Sequence, residues 1–238
     1  MTPHRSRLKR VGAAALVLFL FVAFCALGTW QLQRRTWKLD LIAHTEEQLA
    51  KPPTLAPGPE EWPAISSEQV YQPVSVTGVF LHDRESLVQA MTKLGSGYWV
   101  ITPLQTEQGF LVLVNRGFVD QAHRDQGTRI DTSASGKVQV TGLLRLTEPD
   151  GRLFQANDPV ASRWYSRDVQ AMGAAHGLAS DSLAPYFIDV GVGSAEQEWP
   201  VGGLTVIQFR NTHLGYALTW YALAAMTVWG AWRLLREP

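Results

Sequence analysis

Two stretches without a charged side chain stand at opposite ends of this chain, residues 11–33 and 211–232, and the hydrophobic pattern between them has a different period. They contain 23 and 22 residues. A helix rising ~1.5 Å per residue needs roughly 20 residues to cross ~30 Å of hydrocarbon. Each stretch therefore predicts a transmembrane helix. After the first, Leu39, Ile42, Ala43 and Leu49 recur among charged residues, so the helix is expected to continue as an amphipathic stalk. Pro52, Pro53, Pro57, Pro59 and Pro63 then remove backbone donors and disfavour helix on their N-terminal sides. Residues 51–63 read as a linker or an extended lead-in.

Beyond residue 63 the period shortens to two. Residues 74–79 alternate, and 98–104, 110–118, 137–146, 186–190 and 204–209 are rich in β-branched and aromatic side chains. Turn residues separate them: Glu107, Gln108 and Gly109 predict a hairpin, and Ser135-Gly136 precedes another strand. A helix is expected over 168–176, with Ser166 as its cap and Gly177 as its stop. The last strand is expected to run through Arg210 into the second span with no flexible linker. The predicted fold is a membrane protein in which two transmembrane helices flank an extramembrane, antiparallel β-rich domain, barrel- or sandwich-like and α+β. The segments are a basic tail over 1–10, a first span over 11–33, a stalk and Pro-rich linker over 34–63, the β-rich domain over 64–210, a second span over 211–232 and a short tail over 233–238.

Charge gives the hairpin a direction. The whole chain is neutral, with 21 basic and 21 acidic residues. The two tails, however, hold Arg5, Arg7, Lys9, Arg10, Arg233 and Arg236 against Glu237, a net of +5, and residues 31–212 carry the compensating −5. The positive-inside tendency puts the tails in the cytoplasm and the central domain outside. Arg34, Arg35 and Lys38, just outside the first span, reduce the contrast. A signal peptide is the rival reading of the basic N-terminus, but the apolar run is long and ends in Gly28-Thr29-Trp30. Phe24 before Cys25 does not suit small-residue lipoprotein processing, so Cys25 reads as a membrane-helix residue. One cysteine excludes an intrachain disulfide, a Cys-x-x-Cys redox pair and covalent c-type haem attachment. No basic patch argues for nucleic acid.

Enzyme chemistry finds no recognisable spacing. Gly-x-Ser-x-Gly, His-Glu-x-x-His and phosphate-binding glycine loops are absent. His4, His44, His82, His123 and His176 stand singly among polar residues and read as solvated surface histidines. The chain is expected not to be an enzyme. Asn115-Arg116-Gly117 reads as a turn ending an apolar strand, with Gly117 at positive φ. Arg116 is a candidate for pairing with a carboxylate. Trp30, Trp37, Arg34 and Arg35 fit an interfacial anchor of aromatic rings and guanidinium groups.

His213 differs from the other histidines because it stands at the mouth of the second span, where a polar side chain is costly. His213, Tyr216 and Trp220 fall at i, i+3 and i+7, with Ala217 and Ala224 completing a face of small and aromatic residues. Such a face suits a planar macrocycle with the imidazole as an axial iron ligand. It equally suits an interfacial histidine that hydrogen-bonds across helices beside an aromatic belt. Spacing alone leaves both readings standing.

The runs at residues 27–38 (LGTWQLQRRTWK), 73–80 (PVSVTGVF), 114–119 (VNRGFV), 142–148 (GLLRLTE), 186–189 (YFID) and 210–214 (RNTHL), followed by Thr219-Trp220-Tyr221, resemble in order the surfeit locus protein 1 family. The resemblance covers nearly the whole chain. It implies a two-span assembly factor for a haem-copper terminal oxidase of cytochrome c oxidase type, which binds haem a and assists its delivery to the catalytic subunit. By that resemblance His213 is the proposed metal ligand; Tyr216 and Trp220, on the same predicted helix face, are the candidate cofactor contacts. The implied partners are the oxidase catalytic subunit, proteins of haem a synthesis or assembly, and the lipid bilayer. The alternative is a cofactor-free membrane scaffold that stabilises an oxidase intermediate. Mitochondrial relatives carry a long basic presequence, whereas ten residues precede the first span here. The expected location is therefore a bacterial inner membrane, with the central domain periplasmic, rather than the mitochondrial inner membrane.

Overall fold

Helix α1 runs unbroken over Pro3–Ala50, 48 residues, so the predicted stalk is a continuation of the first apolar helix. It stops where Pro52 and Pro53 follow Lys51. The computed structural model describes residues 3–129, 136–152, 154–191, 199–204 and 211–236. The chain divides into two compact units, Met1–His44 with Gln208–Pro238, and Thr45–Ile207.

The second unit is built on seven strands: β1 (Thr54–Leu55), β2 (Pro73–Phe80), β3 (Ser86–Thr92), β4 (Gly95–Thr106), β5 (Leu111–Asp120), β6 (Val138–Leu146) and β7 (Leu183–Val190), with helix α2 (Val169–Ala175) before the last. Their order is β1-β2-β6-β7-β5-β4-β3, and β2 also pairs with β4. That extra pairing, Gly78 with Thr106 through Phe80 with Leu104, closes β2, β6, β7, β5 and β4 into a ring. The barrel-like alternative of the sequence reading is the one found. The expectation of an antiparallel domain needs correction, because β5 and β7 are parallel, as are β1 and β2. Reversing direction at every neighbour closes a ring only when the number of strands is even. A ring of five must therefore contain one parallel pair.

Alternation places the side chains. Val74, Val76, Leu104, Val112, Val114, Val140, Leu144, Ala184, Tyr186 and Ile188, from all five ring strands, form one buried cluster and fill the barrel. The intervening Leu111, Leu113, Leu183 and Phe187 belong to a second cluster with Val169 and Met172 of α2 and with Trp164. Strands β5 and β7 are thus buried on both faces, which explains why their sequences are nearly continuous apolar runs. The hairpin predicted at 107–109 is present, with Gly109 at φ +91°. The Pro-rich segment takes the extended lead-in form. Thr54 and Leu55 pair with Val74 and Ser75, Ala56 joins the barrel interior, and Pro57 O accepts from Tyr186 OH at 2.8 Å and Trp62 Nε1 at 3.0 Å.

Three local expectations change. Asp168, not Ser166, caps α2 by accepting from Ala171 N at 3.1 Å. Ser166 lies two positions too early and instead donates to Glu148 O at 2.7 Å. Asn115-Arg116-Gly117 does not end its strand: Val100 pairs with Gly117 and Ile101 with Asn115, leaving Arg116 as the extra residue of a β-bulge. Gly117 does adopt positive φ, +135°. Strand β3 was hidden because Leu87, Gln89 and Met91 interleave with buried Val88 and Ala90, so apolarity does not alternate. The strand expected over 204–209 lies outside the described residues apart from Leu204, which is buried.

In the first unit, the stretch Val11–Ala50 of α1 is long and apolar enough to cross a membrane, with a window of mean hydropathy 2.6. Among the described residues it is the one helix that meets this measure. The second expected span does form a helix, α3 (His213–Arg236), but with lower hydropathy, because tryptophan, tyrosine, threonine and glycine occupy much of it. At the end of the apolar run of α1, Trp30 and Trp37 are about half exposed, and the Arg34 guanidinium lies 4.1 Å from the Trp37 ring centre. This is the arrangement an interfacial collar requires.

Candidate functional site

Helices α1 and α3 meet along one face of each. On α1, Phe24, Gly28 and Gln31 fall at i, i+4 and i+7, a single stripe. Phe24 stacks on Trp220 with ring centres 5.8 Å apart, and Thr29 Oγ1 lies 3.0 Å from Tyr221 OH. Gly28 allows the approach, because a Cβ there would stand 2.9 Å from the Tyr221 ring. At the end of this stripe Gln31 Oε1 lies 2.8 Å from His213 Nδ1. An amide oxygen only accepts, so a neutral His213 ring in this arrangement carries its proton on Nδ1 and its lone pair on Nε2. Two residues before His213, Asn211 Oδ1 is buried without a hydrogen-bond partner among the described residues.

Of the residues singled out by spacing, His213 and Trp220 engage α1, and Ala217 and Ala224 are buried. Tyr216 is 57% exposed and makes no ring contact with α1 among the described residues. Thr29 and Gln31 were not anticipated. A single helix seen alone carries no sign of which partner helix it will meet.

A second constellation lies on the outer face of the barrel. Asp189 of β7, 2% exposed, accepts from Asn115 Nδ2 of β5 at 2.6 Å, from Arg145 Nη1 of β6 at 2.9 Å and from Arg167 Nη1 at 3.3 Å. Glu148 accepts from Arg167 Nη2 at 2.6 Å and Nε at 3.0 Å, and faces Arg145 at 3.5 Å. The guanidinium of Arg167 also covers the Phe187 ring at 4.9 Å. Two carboxylates thus balance two guanidinium groups in a largely buried network. Arg145 and Arg167 form one wall of a cleft of about 270 Å³, shared with Tyr71, Met91, Thr92, Trp99 and Leu204. The blocks around Asn115, Arg145 and Asp189, far apart in sequence, are therefore neighbours on adjacent strands.

The SURF1 family profile matches residues 18–225, which include the whole barrel and part of each of the helices α1 and α3. The chain belongs to the SURF1 family. It is 36% identical over 230 residues to the human Surfeit locus protein 1, covering 89% of this chain and 74% of that protein. The chicken (Gallus gallus) Surfeit locus protein 1 is 39% identical over 230 residues, with 89% and 71% covered. The SURF1-like protein of Monosiga brevicollis is 35% identical over 224 residues, with 89% and 82% covered.

His82, His123 and His176 of this SURF1 chain are tied to neighbours rather than gathered. His82 Nδ1 lies 3.3 Å from Arg116 Nη1, and His123 Nδ1 lies 2.7 Å from Asp120 Oδ1 while its ring stacks on Trp199 at 4.5 Å. His176 Nε2 meets Ser86 Oγ at 2.9 Å, and both line a cleft of about 430 Å³ with Tyr98, Arg124, Arg163 and Trp164. A serine beside an imidazole is half of a nucleophilic arrangement. No carboxylate among the described residues hydrogen-bonds to His176 to orient it as a base. No group of three or more metal-ligating side chains occurs among the described residues.

The ionisable groups give the barrel a defined response to acid. Burial, with Arg84 adding to it and Asp83 opposing, holds the His176 imidazole below its ordinary 6.5. Burial pushes the Glu148 carboxyl up, but the hydrogen bonds and charge of Arg167, aided by Arg145, outweigh it and hold the group below its ordinary 4.5. Both groups bind protons more readily in the unfolded chain, so stability rises with pH across both windows. The unfolding temperature of the detergent-purified protein is expected to fall as pH drops below 6.5, where His176 first matters, and further below 4.5, where Glu148 does. His176→Asn should flatten the first decline and leave the second. An unfolding temperature that rises on acidification through 6.5 would contradict this assignment.

Proposed function

We propose that the protein is a non-enzymatic, membrane-anchored assembly factor for cytochrome c oxidase that holds haem a through His213 and assists its delivery to the oxidase catalytic subunit. The observation that carries this reading is the hydrogen bond from His213 Nδ1 to Gln31, which leaves Nε2 as the ring nitrogen able to ligate. Membership of the SURF1 family supports the assembly role. The donor set fits the group: an oriented imidazole, aromatic side chains beside it, and the buried acceptor Asn211 Oδ1 that an incoming donor would satisfy. The His213 imidazole would hold the group through its iron, and haem a would supply that iron if bound. Trp220 is held by stacking on Phe24, while Tyr216 is free to turn toward a ligand lying beside α3.

In this reading α3 is the second span, its aromatic and small residues adapted to packing on α1 rather than to lipid alone. Arg233 and Arg236 at its end, with the basic residues before the apolar run of α1, support a topology with the tails on the cytoplasmic side of a bacterial inner membrane and the barrel domain in the periplasm. The test is to express the full chain in cells that make haem a, purify it in detergent, and record haem stoichiometry and absorption spectrum. His213→Ala is expected to lose at least tenfold in haem retained. Retention of wild-type stoichiometry and spectrum by that variant would make His213 the wrong ligand. A haem-free wild type whose deletion still lowers assembled oxidase would replace this reading with the cofactor-free scaffold.

A further inference from the structure

We infer that Gln31 is a positioning residue for His213: it fixes the imidazole as the Nδ1–H tautomer and so presents Nε2 as the metal-binding atom. The ligand role rests on the haem reading above; the tautomer rests on the geometry alone. A neutral imidazole carries one proton and offers its lone pair at the other nitrogen, and the partner of the first nitrogen decides which is which. Gln31 Oε1, 2.8 Å from Nδ1, can only accept, so the proton belongs on Nδ1.

The amide is not a chance neighbour. It occupies the same stripe of α1 as Phe24 and Gly28, and both of those positions are engaged by α3, through Trp220 and Tyr221. The Thr29–Tyr221 hydrogen bond adds a further tie within the same turns. Sliding α1 along α3 by one residue would break the aromatic stack, the Gly28 contact and the Gln31 bond together. The helix packing therefore sets the height and direction of the amide, and the amide sets the ring. His213 is also the first residue of α3, so its own backbone offers little restraint on the side chain. The restraint comes from the opposing helix. Accepting the Nδ1 proton also makes the ring a better donor to a metal, the role that carbonyl and carboxylate partners play for ligating histidines.

A hydrogen bond that merely joined two membrane helices would look the same in coordinates, so the test uses readouts that simple joining leaves unchanged. The first needs no haem. In detergent-purified full-length protein with nitrogen-labelled histidine, nuclear magnetic resonance should show His213 as the Nδ1–H tautomer in the wild type, and Gln31→Leu should shift the population toward the Nε2–H form. A wild-type Nε2–H tautomer overturns the proposal. The second readout is titration with ferric iron protoporphyrin IX. Gln31→Leu should weaken binding about 10–100-fold and shift the haem absorption bands, while Gln31→Glu, which keeps an acceptor at the same place, should retain affinity within a few-fold. Gln31→Leu with wild-type affinity and bands overturns the positioning role. If Gln31→Leu fails to fold, Gln31→Glu decides by itself: a stronger acceptor at Nδ1 must raise the iron–histidine stretching frequency, and an unchanged frequency overturns the proposal. A wild type that takes up no porphyrin refutes the haem reading, while the tautomer measurement still decides what Gln31 does to His213.

Discussion

Asp189→Ala is expected to lower the unfolding free energy of the barrel domain by about 3–5 kcal/mol, the cost of leaving buried charge without its partner. The carboxylate is 2% exposed and receives hydrogen bonds from Asn115 of β5, Arg145 of β6 and Arg167 of the segment before α2. Its removal leaves two guanidinium groups, with side-chain exposures of 14% and 13%, sharing the single carboxylate of Glu148. Arg145 also covers the Tyr71 and Phe187 rings, and Arg167 the Phe187 ring. Asp189→Asn should be milder, since it keeps an acceptor and loses only the charge. Urea unfolding of the detergent-purified chain measures both. Breaking the solvent-exposed Arg163–Asp158 pair by Arg163→Ala serves as the control and should leave the transition within error. An Asp189→Ala transition that coincides with wild type would show that the network is not what ties β5, β6 and β7 together.

Gly117→Val is expected to cost about 3 kcal/mol or more, because it meets two penalties at once. The residue sits at φ +135°, which an L side chain, and a β-branched one above all, rarely adopts. A Cβ would also stand 2.5 Å from the backbone of Val201, which exchanges two hydrogen bonds with Phe118 at 2.8 and 2.9 Å. The strand cannot give way cheaply, since Gly117 N donates to Asn115 Oδ1 at 3.2 Å while Asn115 Nδ2 holds Asp189. Gly117→Ala should fall between wild type and Gly117→Val. Soluble expression and the unfolding midpoint would report the order, and a Gly117→Val protein as stable as wild type would mean that the bulge can be ironed out.

Much of this was legible along the chain. The apolar run at 11–33, the proline cluster after it and the hairpin turn at 107–109 each act over a few residues, so their sequence determines them directly. The glycine of Asn115-Arg116-Gly117 was rightly given positive φ. The bulge was not visible, because a bulge is defined by the partner strand: only opposite Val100 and Ile101 does Arg116 become the extra residue. Strand β3 was lost to mixed apolarity, and the cap of α2 was placed on Ser166 when Asp168 also stood in range.

The candidate sites divide in the same way. His213 announced itself by cost, as a lone imidazole at the mouth of an apolar stretch. Nothing along α1 marked Gln31 as its neighbour, nor did Asn115, Arg145, Arg167 and Asp189 declare a shared network, for each looked like an ordinary polar residue. The sequence by itself determined where apolar helices form, which region is β-rich, and which histidine stands apart, since these depend on local composition and period. Tertiary structure alone decided that five strands close with one parallel pair, that four polar residues from separate segments share one hydrogen-bonded network on one face, and that an amide on α1 meets the His213 ring. Ring closure and charge pairing are relations between distant segments, and no stretch of chain carries its partner's coordinates.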